Sequence, residues 1–300
     1  MTAPAPTTIA STGARSAVLR IRGLRYHFWQ WGDPGKPLLL CCHGWLDTGG
    51  SWQFVAEQLA SDFHVVALDW RGFGYSEWHG DHYWFPDYVA DLDAVIDALS
   101  PDEPVLLVGH SMGGQITSLY AGVRPQRLAR LVLLDSLLLP DMPPERAPKA
   151  LGEWLTAVQD PPAQRAYPSY QELASRIARR NPRLTPERAL SVARVWGRSR
   201  GDGQIELLAD PRHHTHNPVL YRASESYAVW KQVTAPTLFL DASDSKLRKM
   251  AGEEELARRR GCFRDHGHRF IDDCGHMMHH DQPELVAQGI RDFLGDFVVG

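Results

Sequence analysis

Residues 104–114 constrain the fold of this chain more than any other stretch. A proline is followed at 105–108 by apolar residues of high strand propensity, which is typical of a short buried strand. Residues 109–113 follow directly and read GHSMG, and residues 115–123 have the small and apolar faces of a helix. The stretch therefore predicts a strand, a sharp turn and a helix, with Ser111 at the turn.

So tight a turn places its central serine in strained backbone, and only small neighbours fit beside it. Gly109 and Gly113 remove the side chains that would collide with the strand and the helix. Ser111 Oγ is then expected at the carboxyl edge of a sheet, where a helix N-terminus favours negative charge. This is the G-x-S-x-G pattern of a nucleophile elbow. An ordinary Gly-Ser loop between a strand and a helix is the alternative interpretation. The patterns in the rest of the chain distinguish the two.

Composition excludes several classes of protein. The formal net charge of −4 over 300 residues argues against a nucleic-acid-binding surface. No run approaches the length of a membrane span. Residues 1–16 are polar and small, and they predict a disordered tail rather than a signal peptide. The cysteines at 41, 42, 262 and 274 are expected to be free thiols in a reducing cytoplasm. We therefore expect a cytoplasmic protein with neither nucleic-acid nor membrane partners.

Strand and helix signals alternate as far as residue 135, which predicts an α/β fold with a mostly parallel, eight-stranded-type sheet flanked by helices. Between residues 136 and 231 only helix signals occur, so this segment is expected to be an inserted, all-helical cap. Strand signals resume at 236–240 and 269–271. The predicted core is therefore residues 17–135 and 232–300.

Four motifs together resemble one family. They are HGW at 43–45, DWRGFGYS at 69–76, GHSMGG at 109–114 and GHMMHHDQPE at 275–284. From about residue 18 to 296, the chain resembles the α/β-hydrolase fold superfamily, in its compact branch with a helical cap. The resemblance implies a serine hydrolase that cleaves a carboxylic ester or a related acyl bond through an acyl-enzyme.

A serine hydroxyl becomes nucleophilic when a base accepts its proton and a carboxylate orients that base. The resemblance implies Ser111 as nucleophile and His276, on the loop after the last strand, as general base. It also implies that the backbone N–H groups of Trp45 and Met112 form the oxyanion hole. Asp69 and Arg71 are expected to be structural.

The orienting acid is the position at which the chain departs from the family pattern. The loop at 240–245 has alanine where the usual turn has glycine, and it holds both Asp241 and Asp244. Asp135, which ends the preceding strand, is a third candidate. Chain order favours Asp244, which also lies in a loop long enough to reach beneath the histidine. Asp135 is the alternative, and Asp241 ranks last.

The substrate is expected to be a small molecule with an apolar acyl or aromatic group. The residues expected to contact it are His43, Gly44, His110, Trp154 and Trp196. Histidines at 213, 214, 216, 279 and 280 suggest a metal, but their spacing matches no ligand motif. Neither a metal nor a cofactor is therefore expected.

Other activities remain compatible with the same residues. A carbon–carbon bond hydrolase, a lactonase or an acyltransferase uses the same triad. A cofactor-independent oxygenase or peroxidase and a slowly turning-over ligand receptor also occur on this fold. An aspartate nucleophile would indicate epoxide or haloalkane hydrolysis, and the serine at position 111 argues against both.

Overall fold

The computed structural model describes residues 13–79, 82–215 and 217–295. Most of the expected tail, residues 1–12, lies outside the described residues. The last two residues of the expected tail, Arg15 and Ser16, are not disordered, because they belong to the first strand.

Eight strands form one sheet, as the strand signals predict. They are β1 Arg15–Ile21, β2 Leu24–Trp31, β3 Leu38–Cys42, β4 His64–Leu68, β5 Val105–His110, β6 Leu128–Leu134, β10 Thr237–Ala242 and β11 His266–Ile271. Their spatial order is β1-β2-β4-β3-β5-β6-β10-β11. Only β2 runs against the others, since it pairs antiparallel with both of its neighbours and the remaining pairs are parallel. The predicted α/β fold with a mostly parallel sheet is confirmed.

Helices cover both faces of this sheet. They are α1 Gln53–Leu59, α2 Phe85–Leu99, α3 Met112–Val123, α7 Ala223–Trp230, α8 Lys246–Ala251, α9 Glu253–Arg260, α10 Met278–Asp281 and α11 Pro283–Leu294. Alternate residues of β3 join different cores: Cys42 packs with α2 and α3, whereas Cys41 packs with α1 and α11. The sheet is therefore buried on both faces, which explains the continuous apolar run of its central strands.

The inserted segment is not all-helical, contrary to expectation. It contains the helices α4 Ala147–Gln159, α5 Tyr170–Arg180 and α6 Pro186–Trp196. It also contains the short strands β7 Ala166–Tyr167, β8 Gly197–Ser199 and β9 Ile205–Leu207, which form an antiparallel sheet in the order β7-β9-β8. Strands of two or three residues are too short to show an alternating pattern, so the sequence does not reveal them.

The insertion ends before α7. Trp230 of this helix is fully buried in the main core and donates a hydrogen bond from Nε1 to Ser118 Oγ at 2.9 Å. A Cβ on Gly122 of α3 would lie 2.2 Å from the Val229 carbonyl oxygen, so the two helices are in close contact. We therefore define the insertion as residues 136–222 rather than 136–231.

Side-chain caps begin two helices of the insertion, α5 and α6. Ser169 Oγ accepts from the Glu172 N–H at 3.2 Å, and Thr185 Oγ1 accepts from the Arg188 N–H at 3.2 Å. The Asn-Pro sequence at 217–218 does not begin a helix. Asn217 Oδ1 accepts from the N–H two residues later, at Val219, which forms a turn instead of a helix.

Contacts place the insertion against the carboxyl edge of the main sheet. Trp196 donates to Asp47, in the loop after β3, at 2.7 Å. The Leu208 carbonyl accepts from the N–H of Gly74, in the loop after β4, at 2.7 Å. Arg188 pairs with Glu284 at the start of α11 at 2.9 Å. Among the helices of the described residues, none has the length and hydropathy needed to cross a membrane.

Candidate active site

Ser111 occupies the sharp turn between β5 and α3. Its backbone angles are φ 52° and ψ −115°, a conformation that L-residues rarely adopt. The Ser111 N–H donates to the Leu134 carbonyl at 3.1 Å, which ties the turn to the end of β6. The strained turn holds the hydroxyl at the carboxyl edge of the sheet.

Two glycines make this turn possible. A Cβ on Gly109 would lie 2.7 Å from the Gly113 carbonyl oxygen, and a Cβ on Gly113 would lie 2.3 Å from the Cys42 carbonyl oxygen. Both distances are shorter than any real contact with backbone. The glycines of the GHSMG pattern are therefore required by close approach of the backbone, as the sequence predicts.

His276 lies in the loop between β11 and α10 and contacts both Ser111 and an aspartate. Its Nε2 is 2.9 Å from Ser111 Oγ, and its Nδ1 is 2.6 Å from Asp135 Oδ2. The carboxylate accepts from Nδ1–H, which leaves the lone pair of Nε2 to accept the serine proton. The Asp135 side chain is fully buried, whereas His276 is partly exposed.

The backbone holds Asp135 at the end of β6. Its N–H donates to the Leu240 carbonyl at 2.9 Å, and its Oδ1 accepts from the Ala242 N–H at 3.3 Å. Its φ of 39° turns the chain so that the other carboxylate oxygen meets His276. Both carboxylate oxygens are therefore engaged.

Asp244 is ranked above Asp135 as the acid that orients His276, but the structure brings Asp135, and not Asp244, into contact with this histidine. The Asp244 side chain is 48% exposed, and its carboxylate bonds Lys249 at 2.5 Å and Arg183 at 2.6 Å. Hydrogen bonds from these two cations lower the pKa of Asp244 to about 2. Asp241, ranked last, instead meets Arg260 at 3.1 Å and His268 at 2.9 Å. Chain order alone does not determine which of the strand-end carboxylates reaches the histidine.

The loop after β3 touches the serine turn. A Cβ on Gly44 would lie 3.1 Å from Ser111 Cβ, so a side chain there would crowd the nucleophile. The neighbouring Trp45 is half exposed. Met112 is the first residue of α3, and the first N–H groups of a helix have no acceptor within it. The backbone around Trp45 and Met112 therefore flanks Ser111 from two sides.

His43 and His110 are buried supports rather than surfaces open to a ligand. His43 Nε2 accepts from the Trp70 N–H at 3.0 Å while its Nδ1 donates to the Gly44 carbonyl at 2.7 Å. Burial lowers the pKa of His43, in keeping with a neutral ring. His110 Nε2 donates to the His276 carbonyl at 2.8 Å, so His110 holds the backbone of that loop. Neither histidine is among the residues that line the two cavities described below, so their expected contact with substrate stays a prediction.

A cavity of about 470 Å³ adjoins Trp45 and Met112. The aromatic residues that line it are Trp45, Tyr83, Trp84, Phe85, Tyr88 and Trp154. Trp154 reaches this cavity from α4 of the insertion. Trp196 instead lines a second cavity of about 220 Å³ between the insertion and the main sheet. The aromatic run YWF at 83–85 is the signal that could have identified the larger cavity.

The expected structural roles of Asp69 and Arg71 fit their contacts. Asp69 is buried and accepts hydrogen bonds from the side chain of His27 and the backbone N–H of Gly49. Arg71 Nη2 donates to Asp91 at 2.6 Å. These bonds fix the loop after β4, and neither side chain touches Ser111 or His276.

The histidines singled out by the sequence fall into two groups. His213 is stacked between Phe73 and Tyr83, and His214 lies edge-on to Trp45, both beside the larger cavity. His216 lies outside the described residues. His279 and His280 belong to α10, away from this cavity, and their rings lie close to the carboxylate of Asp47 in the loop after β3. These three residues are the group within the described chain that could hold a metal ion.

Comparison with known proteins agrees with this architecture. A sequence model of the alpha/beta hydrolase fold family matches residues 37–283. A serine hydrolase-like protein of Danio rerio is 29% identical over 275 residues, which covers 88% of this chain and 83% of that protein. Epoxide hydrolase 4 of Mus musculus is 36% identical over 115 residues, 38% of this chain and 32% of that protein. The solved thioesterase domain from the curacin biosynthetic pathway superposes with a TM-score of 0.81 at 29% identity, covering 92% of this chain and 98% of the domain.

Proposed function

Because the chain belongs to the α/β-hydrolase fold family, we propose that it is a serine hydrolase that cleaves a carboxylic ester or a related acyl bond through an acyl-enzyme. The observation that carries the proposal is the pair of contacts made by His276. They are 2.9 Å to Ser111 Oγ and 2.6 Å to the buried Asp135 carboxylate. This is the geometry that activates a serine hydroxyl.

The proposed reaction has two halves. Ser111 Oγ attacks the acyl carbon while His276 Nε2 takes the hydroxyl proton, and Asp135 stabilises the imidazolium that forms. The tetrahedral intermediate collapses when His276 returns this proton to the leaving alcohol or thiol. Water then attacks the acyl group on Ser111 by the same route, and the acid is released.

The backbone N–H groups of Trp45 and Met112 are the proposed oxyanion hole. Negative charge develops on the former carbonyl oxygen during attack, and a donor positioned for that charge contributes about 3 kcal/mol to lowering the barrier. Met112 supplies its N–H from the first turn of α3, whose dipole also favours the oxyanion. Gly44 precedes Trp45, and a Cβ on Gly44 would lie 3.1 Å from Ser111 Cβ, which supports Trp45 as the second donor.

Acyl chemistry is favoured over epoxide opening by the residue at the turn. The mouse relative is named an epoxide hydrolase, and the curacin relative a thioesterase. Epoxide hydrolysis on this fold uses an aspartate nucleophile, as noted above, whereas this chain has Ser111. Serine forms an ester with an acyl group, and water can hydrolyse that ester with the same base.

The substrate proposal follows from the larger cavity. Its 470 Å³ volume fits a small molecule, and its aromatic lining favours an apolar or aromatic group. The insertion supplies Trp154 to this lining, so we propose that it acts as a cap over the substrate. We also propose a cytoplasmic location, because the four cysteines are free and a reducing compartment keeps thiols in that state.

A fluorophosphonate probe tests the proposal, because it reacts covalently with an activated serine. The wild-type protein should be labelled at Ser111, identified by peptide mass mapping, and Ser111→Ala should not be labelled. Ser243→Ala, which changes a serine in the loop after β10, serves as the control and should be labelled like the wild type. Labelling at another serine, or none in the folded wild type, would contradict the proposal.

A further inference from the structure

A second group of chemically capable side chains lies next to His110, whose ring centroid is 4.5 Å from that of His279. It consists of Asp47, in the loop after β3, and His279 and His280, on α10; we call it the His–Asp cluster. One potential ligand atom from each residue lies within 4.8 Å of the other two. All three side chains are at most 1% exposed. The mechanism proposed above uses none of them.

Asp47 brings a negative charge into this buried space. Its Oδ1 accepts from the Thr48 N–H at 2.8 Å and from Trp196 Nε1 at 2.7 Å. Its Oδ2 lies 3.2 Å from His279 Nε2. The cluster therefore contains a buried carboxylate that needs a cation beside it.

His280 brings an unused nitrogen. Its Nε2 is buried and has no hydrogen-bond partner among the residues that the structure describes. The same is true of His279 Nδ1. Histidine binds metals through the lone pair of a ring nitrogen, so a buried nitrogen without a protein partner is available as a ligand atom.

The cluster is also reachable. The cavity of about 220 Å³ between the insertion and the main sheet is lined by Asp47 and His280, together with Met277 and Trp196. A cavity of this size admits an ion with several water molecules. Protein ligands on one side and water on the other are the arrangement of a metal site with an open position.

We propose that the His–Asp cluster binds a divalent first-row transition-metal ion such as Zn²⁺, through Asp47, His279 and His280. Two histidines and one carboxylate suit Zn²⁺, Co²⁺ and Fe²⁺ better than the hard cations Mg²⁺ or Ca²⁺. The separation of 3.2 Å between Asp47 Oδ2 and His279 Nε2 is that of two ligand atoms on one ion. His280 would supply the third ligand, because one of its ring nitrogens lies within 4.8 Å of the other two ligand atoms.

Sequence spacing hides this site because the acid is distant along the chain. Adjacent histidines match no ligand motif, and Asp47 lies on a different loop of the carboxyl edge. The fold brings them together beside His110. The rings of His110 and His279 have centroids 4.5 Å apart, and His110 holds the His276 carbonyl.

Titration with Co²⁺ alone tests the proposal, using untagged protein dialysed against a chelator. The wild type should bind one Co²⁺ per chain with visible d–d absorption, and Zn²⁺ should displace it. Asp47→Asn and His280→Gln should each weaken Co²⁺ binding by at least about tenfold, because each removes a ligand. His268→Gln is the matched control, since His268 also contacts an aspartate, Asp241, at 2.9 Å but has no third ligand. It should bind Co²⁺ like the wild type.

Circular dichroism shows whether each variant is folded. Asn at position 47 can still accept from Thr48 and Trp196, and His280 loses no hydrogen bond at Nε2, so at least one variant is expected to fold. Zn²⁺ should also raise the melting temperature of the wild type and of His268→Gln, but not that of the folded cluster variants. The proposal is wrong if the wild type binds no Co²⁺, or if a folded cluster variant binds it as tightly as the wild type. The cluster would then be an ion pair between Asp47 and His279.

Discussion

The residue that orients His276 is fixed by two backbone contacts and one side-chain contact. Asp135 holds the Ala242 N–H with one carboxylate oxygen and the histidine with the other. Asp244 has no such restraint, because it lies at the surface between Lys249 and Arg183. The two aspartates lie on neighbouring loops, yet only Asp135 can set the tautomer of His276.

Substitution with asparagine separates these two residues while preserving shape. Asp135→Asn should lower kcat for an activated ester such as p-nitrophenyl butyrate by up to about 10⁴-fold, because the ring loses its orienting acceptor. Asp244→Asn should change kcat less than about threefold, since it alters only a surface ion pair. Steady-state kinetics on both variants checks this prediction. Loss of turnover in Asp244→Asn with activity retained in Asp135→Asn would reverse the assignment.

The sequence pattern singled out the serine and the histidine that the structure brings within 2.9 Å of each other, but it ranked Asp135, the aspartate that contacts this histidine, second. The serine is defined by glycines that the backbone requires, and the histidine by its place after the last strand. Which carboxylate reaches His276 depends on how the chain turns at the end of β6, where Asp135 adopts a positive φ of 39°. Nothing in the residue types near Asp135 encodes that turn, so strand-end carboxylates cannot be distinguished without the fold.

At the scale of elements, long and periodic segments were predictable and short ones were not. The inner strands β3, β4, β5 and β10 are buried almost throughout, and this burial accounts for their continuous apolar runs. The edge strands β1 and β11 are largely exposed and have a weaker apolar pattern. The strands β7, β8 and β9 have two or three residues each, and tertiary contacts rather than periodicity define them. The end of the insertion was misplaced because α7 looks like any other amphipathic helix until its contact with α3 is known.

Helix α4 offers a direct test of the substrate cavity. Trp154 lines that cavity, whereas Leu155 on the same helix is 54% exposed. Trp154→Ala should lower kcat/KM for a naphthyl ester by up to about tenfold relative to an acetate ester of a small alcohol, because an aromatic contact is lost. Leu155→Ala should leave this ratio unchanged. Equal effects of Trp154→Ala on both esters would argue against a substrate contact.

Across the whole molecule, the hydrophobic cores on the two faces of the main sheet bury three of the four cysteine thiols. Cys41, Cys42 and Cys274 are buried, and Cys262 is partly exposed. Burial raises the pKa of Cys274 to about 12 and raises those of Cys41 and Cys42 further above their ordinary values. Because only the thiolate reacts, these three should be inert in the folded protein.

Thiol titration with Ellman's reagent checks that expectation. At pH 8 the native protein should release about one equivalent of the chromophore, and Cys262→Ser should release almost none. All four thiols should react after unfolding in urea. Because burial also raises the pKa of Cys262, its rate should increase as the pH rises from 7 to 9. Rapid reaction of more than one thiol in the native state would contradict the packing described for the core.

The proposed mechanism requires that Ser111 becomes covalently acylated during turnover. Acid quenching of the reaction with p-nitrophenyl butyrate, followed by intact-mass and peptide analysis, measures this acylation directly. We expect a mass increase of one butyryl group, located on Ser111, that is absent from Ser111→Ala and accumulates in variants with slowed deacylation. A butyryl group on any other residue, or substrate turnover by Ser111→Ala at the wild-type rate, would show that Ser111 is not the nucleophile.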